Sequence, residues 1–146
     1  PHNLLLTSDG DLKVGDFGLV KHTKNPVDMG TVRGSVLGTP YYMAPEQALG
    51  EPADERSDLY AVGATFFQMF TGRLPFDEKS STAALVAIAH RDAPRLTDVA
   101  PSAPRPLDVV IGRLMARRPD DRYQDARVVL EDLASYERRG LLGGPD

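Results

Sequence analysis

The sequence predicts an α+β chain in which a short β-hairpin precedes a mainly α-helical body. Three observations predict it. Two short apolar runs flank an Asp-Gly turn near the N-terminal end. From about residue 43 to 138, apolar segments of helical length alternate with capping and stop residues. The composition is that of a globular segment: 41% of the 146 residues are hydrophobic and 26% charged, with a net charge of −4. That apolar content is too high for a disordered chain. With no cysteine, a disulfide scaffold and a thiolate metal site are excluded. His2, His22 and His90 share no ligand spacing. The mild acidity gives no electrostatic reason to expect a nucleic-acid partner. No apolar run approaches the roughly 20 residues that span a bilayer.

Each element has a local cause. Leu4-Leu5-Leu6 and Leu12-Lys13-Val14 read as antiparallel strands around Thr7 to Asp11, because Gly10 can supply the positive φ of the turn. From Leu19 to Pro40 the chain is loop-like, and a long loop in a compact domain is usually functional. Met43 to Leu49 reads as a short helix that stops near Gly50. Ser57 or Asp58 can cap a helix that runs to about Thr71, with Gly72 as its stop. Leu59, Val62, Phe66, Phe67, Met69 and Phe70 make that helix apolar nearly all round, which predicts burial on all sides. A further helix covers Ser81 or Thr82 to His90, and Pro94 to Pro106 reads as a proline-rich connector. Pro106 or Leu107 opens a helix through Ala116. Asp125 to Arg138 forms the last helix, with Val128, Val129, Leu133 and Tyr136 inward. Gly140, Gly143, Gly144 and Pro145 resemble the start of a linker.

Several motifs occur in a fixed order. Pro1-His2-Asn3 precedes the hairpin, and Asp16-Phe17-Gly18 follows it. Gly38-Thr39-Pro40-Tyr41-Tyr42-Met43-Ala44-Pro45-Glu46 closes the loop. Ser57-Asp58-Leu59-Tyr60-Ala61-Val62-Gly63 and Arg117-Arg118-Pro119-Asp120-Asp121-Arg122-Tyr123 come later. Together they resemble the C-terminal lobe of a serine/threonine protein kinase. Asp54-Glu55-Arg56 and Thr71-Gly72-Arg73-Leu74-Pro75-Phe76 are similar to bacterial kinases of eukaryotic type. The resemblance implies a protein kinase-like fold. This chain would be its mainly α-helical C-lobe with a short hairpin, the N-lobe being absent.

Roles follow from the resemblance residue by residue. Asp16 and Asn3 would bind Mg²⁺ and, through it, ATP, since magnesium takes hard oxygen ligands. Asn3 alone would read as a turn residue. The loop from Leu19 to Ala44 would be the activation segment. Thr31 is its candidate regulatory phosphosite, because a phosphate adds about −1.5 to −2 charge and can order a loop by pairing with arginine. Thr39 would support catalysis by contacting the general base and shaping the substrate pocket. Pro40-Tyr41-Tyr42 and the absence of tryptophan favour serine/threonine over tyrosine specificity. Glu46 and Arg122 would form a buried ion pair, and Asp58 would accept backbone N–H groups from the catalytic loop. Those three roles are structural.

The resemblance also implies what should lie before Pro1: the glycine-rich loop, the ATP-anchoring lysine, the hinge and the general-base aspartate. On this reading residues 1–138 are the C-terminal part of a kinase domain and 139–146 begin a linker. The whole protein is expected to transfer phosphate from ATP to Ser/Thr of protein substrates, and the segment alone to be inactive and marginally stable. A pseudokinase acting as a signalling scaffold or nucleotide-binding module is the alternative. A helical interaction domain with accidental motifs is the third reading. The expected partners are protein substrates, with neither nucleic acid nor membrane contacting this segment. Dimerisation of the whole kinase, a cytoplasmic location and a membrane anchor beyond this chain are all compatible with the reading.

Overall fold

The computed structural model describes residues 4–15 and 40–142. They fall into two units, a β-hairpin and a helical body. In the hairpin, β1 (Leu4–Leu6) pairs antiparallel with β2 (Leu12–Val14), with Leu4 opposite Val14 and Leu6 opposite Leu12. Thr7 closes the turn through its own backbone and side chain. Its N–H donates to the Asp11 carbonyl at 2.8 Å, and its Oγ1 accepts from the Asp11 N–H at 3.0 Å. Gly10 takes φ 86°, a conformation that a side chain would strain. Leu5, Leu12 and Val14 are exposed.

The helical body contains α1 (Pro45–Ala48), α2 (Glu55–Thr71), α3 (Ser81–His90), α4 (Leu96–Val99), α5 (Arg105–Leu114) and α6 (Ala126–Arg138). Single 3-10 turns at Pro40–Tyr42 and Pro119–Asp121 flank α1 and precede α6. Tyr60, Ala64 and Phe67 of α2 pack with Ala44, Leu96, Ile111 and Met115 in one core. Leu59 packs with Val110, Leu114, Tyr123 and Val129 in a second. Helix α2 is therefore the axis against which α4, α5 and α6 assemble. Its crossing with α5 is close at Gly63, where an added Cβ would lie 2.7 Å from Met115 Cγ and 2.8 Å from Leu114 Cβ.

Several sequence expectations change. The α2 cap is Asp54, not Ser57 or Asp58: its side chain accepts from the Arg56 N–H at 2.9 Å, so the helix starts one turn earlier. Gly72 ends α2 in the left-handed region at φ 69°. Helix α2 is not enclosed on all sides among the described residues, since Val62, Met69 and Phe70 are exposed. The proline-rich connector holds α4, whose Thr97 N–H is accepted by Asp108 Oδ1 of α5 at 3.2 Å. Helix α1 is shorter than residues 43–49, because Pro40 and Pro45 start separate turns. Helix α5 starts at Arg105 and stops at Leu114, short of Ala116. In α6, Val129 is buried and Leu133 and Tyr136 are half-buried against the second core, while Val128 points to solvent.

Candidate functional site

Two of the described candidate residues, Glu46 and Arg122, meet where α1, the start of α2 and the segment before α6 converge. Pro45 opens α1 and Glu46 follows it, a favoured place for a carboxylate in the first helical turn. Gln47 Oε1 accepts the Ala44 N–H at 2.9 Å and fixes the entry of the turn. Glu46 is thereby held against Arg122, which the Pro119–Asp121 turn presents from the other side.

The pair is bidentate. Arg122 Nη1 donates to Glu46 Oε1 at 2.7 Å and Nη2 to Oε2 at 2.6 Å. The remaining guanidinium N–H groups donate to backbone carbonyls: Nε to Ala116 at 2.8 Å, Nη1 to Arg56 at 3.0 Å and Nη2 to Arg117 at 3.1 Å. An arginine has five N–H donors, and all of them are used. Ser57 Oγ donates to Glu46 Oε1 at 2.6 Å. The Arg122 side chain is 0% exposed and that of Glu46 5%. Tyr60 places its ring 5.1 Å from the guanidinium carbon. Burial pushes the Glu46 carboxyl up, but the hydrogen bonds from Arg122 and Ser57 outweigh it and hold Glu46 below the ordinary carboxylate range. Burial without such partners would cost several kcal/mol per ion. Here every polar atom is met, so the pair locks the Ala44-Pro45-Glu46 turn onto the helical body.

A second cluster lies beside it at the surface. Arg56 Nη2 donates to Asp54 Oδ2 at 2.7 Å, and its Nη1 donates to Asp120 Oδ1 at 2.9 Å and Gln124 Oε1 at 3.2 Å. Asp58 is exposed in the first turn of α2. Before α1 in the chain, the Tyr42 hydroxyl donates to Gln68 Oε1 of α2 at 2.5 Å.

Of the sequence candidates, the structure brings Glu46 and Arg122 into contact and places Asp58 apart from them on solvent. Asn3, Asp16, Thr31 and Thr39 lie outside the described residues. The hairpin register pairs Leu4 with Val14, so the chain enters β1 and leaves β2 at the same end. Sequence reasoning missed two participants. Ser57 reads as a cap from the sequence, and its place eleven residues from Glu46 gives no local signal of the bond. Gln68 stands between Phe67 and Met69 in an otherwise apolar stretch, and that isolated amide was its signal.

Comparison with known proteins adds to this geometry. The sequence model of the family described as "Protein kinase domain" matches residues 1–133. The chain is similar to the probable serine/threonine-protein kinase PknB of Corynebacterium glutamicum, with 34% identity over 145 residues. That alignment covers 97% of this chain and 22% of the relative. Serine/threonine-protein kinase Pkn1 of Myxococcus xanthus is 45% identical over 112 residues, 77% of this chain and 16% of that protein. Serine/threonine-protein kinase PknL of Mycobacterium tuberculosis is 38% identical over 133 residues, 91% of this chain and 33% of that protein. The chain thus spans a third or less of the length of each of these relatives.

Proposed function

We propose, from the premise that this chain belongs to the protein kinase family, that it is the working C-lobe of a serine/threonine protein kinase, which transfers a phosphoryl group from ATP to hydroxyls of protein substrates. The observation that supports this best is the fully satisfied Glu46–Arg122–Ser57 cluster. It fixes the turn that follows the segment carrying Thr31 and Thr39 in the sequence. A peptide-binding loop needs such an anchor, because positioning supplies much of the rate in phosphoryl transfer.

Within that reading, Asp16 and Asn3 are the residues that hold Mg²⁺ and the nucleotide. Their donors fit: a carboxylate and an amide carbonyl are both hard oxygens. The hairpin supports the assignment, since the pairing of Leu4 with Val14 brings the preceding and following chain out at one end. When bound, Mg²⁺·ATP supplies the phosphoryl donor with part of its charge offset. Thr39 supports catalysis by orienting the substrate pocket, and Thr31 is the regulatory phosphosite. Asp58, exposed at the start of α2, accepts backbone N–H groups from the catalytic loop on this reading. The kinase portion is taken as residues 1–138. Its protein substrates are cytoplasmic on this reading. No helix of the described residues is long and apolar enough to cross a membrane.

The test is incorporation of labelled phosphate from ATP by the full-length gene product, with Asp16→Ala beside wild type. The expected result is Mg²⁺-dependent labelling on serine or threonine that Asp16→Ala lowers about a hundredfold or more. Full activity in Asp16→Ala would remove the metal-ligand role, and an inactive wild-type protein would overturn the kinase reading in favour of a scaffold. Phosphopeptide mapping that finds other hydroxyls of the loop modified but not Thr31 would remove Thr31 from regulation.

A further inference from the structure

Arg122 is followed by Tyr123, and the backbone at Arg122 is extended, with φ −83° and ψ 175°. Side chains alternate along an extended chain, so these two leave it on opposite sides. Arg122 enters the ion pair with Glu46, and Tyr123 enters the second core among Leu59, Val110, Leu114 and Val129. Two helices hold Tyr123 there. Its hydroxyl donates to Asp132 Oδ2 of α6 at 2.7 Å. The guanidinium of Arg113 on α5 lies over its ring, with the central carbon 4.1 Å from the ring centre. Burial, and after it the bond to Asp132, raises the Tyr123 phenol above its ordinary value, so the donor proton stays in place at neutral pH. The bonds that Arg122 makes to Glu46 account for none of these contacts.

We infer that Asp132 is a positioning residue for Arg122: its carboxylate holds the Tyr123 hydroxyl, Tyr123 fixes the chain at position 122, and α6 is thereby linked to the Ala44-Pro45-Glu46 turn. The consequence for peptide binding rests on the kinase reading above. Asp132 touches neither nucleotide nor peptide in this role. Arg122 is sensitive to such a link because all its donors meet acceptors between 2.6 and 3.1 Å, so one small shift of its backbone lengthens several bonds together. Tyr123 resists that shift because its ring is enclosed and its acceptor is a carboxylate, which makes the stronger kind of hydrogen bond. Within α6 only Val129 is buried, and Asp132 is half-buried. The link therefore runs from a peripheral helix to the interior pair. A single bond of this kind accounts for a severalfold effect on binding and not for the whole of catalysis.

The experiment uses the full-length protein with a serine-containing peptide and five variants: Asp132→Leu, Asp132→Asn, Tyr123→Phe, the double variant Asp132→Leu/Tyr123→Phe, and Ala134→Gly. Leucine removes the acceptor at similar size, and asparagine keeps an acceptor oxygen. Phenylalanine keeps the ring under Arg113 and removes the donor. Ala134 lies off the second core, so glycine there loosens α6 without touching the link. Asp132→Leu and Tyr123→Phe are each expected to raise the peptide KM about three- to tenfold, with kcat and the KM for ATP within about twofold of wild type. The double variant is expected to match the worse single variant, and Asp132→Asn and Ala134→Gly to stay within about twofold of wild type. An unchanged peptide KM, additive single effects, parallel loss of kcat and both KM values, or an equal rise in Ala134→Gly would overturn the inference. Hydrogen exchange of the Ala48 amide, which donates to the Ala44 carbonyl at 3.0 Å, reads the link without catalysis. Faster exchange in Asp132→Leu but not in Ala134→Gly supports the link, and any other pattern overturns it. If wild type transfers no phosphate while exchange shows the supporting pattern, the kinase reading fails and the link stands.

Discussion

Arg122 and Arg56 do the same chemistry in opposite surroundings. Each ties the segment that precedes α6 to an earlier helix through a carboxylate, Arg122 to Glu46 of α1 and Arg56 of α2 to Asp120, and the backbone carbonyl of Arg56 is itself a partner of Arg122. Arg122 is 0% exposed at its side chain and its five donors are all used on protein acceptors. The Arg56 side chain is 25% exposed, and its partners Asp54 and Asp120 are 43% and 74% exposed. Coulomb attraction at similar distances is far weaker in water than in a protein interior. What differs between the two sites is therefore the consequence of losing a partner. Beside Arg56, water replaces whatever is removed; beside Arg122, nothing does.

The sharpest way to break the contrast is Arg122→Met. It leaves the Glu46 carboxylate buried with Ser57 alone and should lower unfolding stability by about 3–5 kcal/mol in urea titrations. A loss no greater than that of a surface variant would show that Glu46 finds water. The next effect is on pH dependence. Glu46 binds its proton less readily in the folded state than when unfolded. Its contribution is complete above the ordinary carboxylate range, near pH 4.3, and is lost as pH falls through the lower folded value. Acid titration of stability should therefore be flatter in Glu46→Gln than in wild type below about pH 4. The smallest effect belongs to the surface pair. An Arg56→Ala/Asp120→Ala double-mutant cycle should give coupling at the limit of measurement, vanishing in high salt. Strong, salt-independent coupling would show that the two arginines are not opposites after all.

The legible part of the fold was local. Asp9-Gly10 marked the hairpin turn and Gly72 the end of α2, because a positive φ is a single-residue property. Helix α4 escaped notice because the acceptor for its Thr97 N–H is Asp108, eleven residues away on α5. Asp54 caps α2 where the sequence points to Ser57 or Asp58, since all three carry capping chemistry and only the extended backbone of Asp54 decides among them. Val128 looked as apolar as Val129, yet only the latter shares a face with Leu133 and Tyr136. The ion pair of Glu46 and Arg122 was visible only through the resemblance to a family, since nothing local to either residue names the other. The bond from Tyr42 to Gln68 had no such guide.

The separation of Glu46 from Arg122 carries a kinetic consequence. The two residues are 76 positions apart, and the chain between them includes α2 through α5. Closing so long a loop is entropically costly, and desolvating two ions gains nothing until the surrounding core has excluded water. The pair is therefore expected to form on the native side of the folding barrier and to act as a latch. Its removal should leave the folding arm of a chevron plot almost unchanged and steepen escape from the native state, which stopped-flow unfolding measures directly.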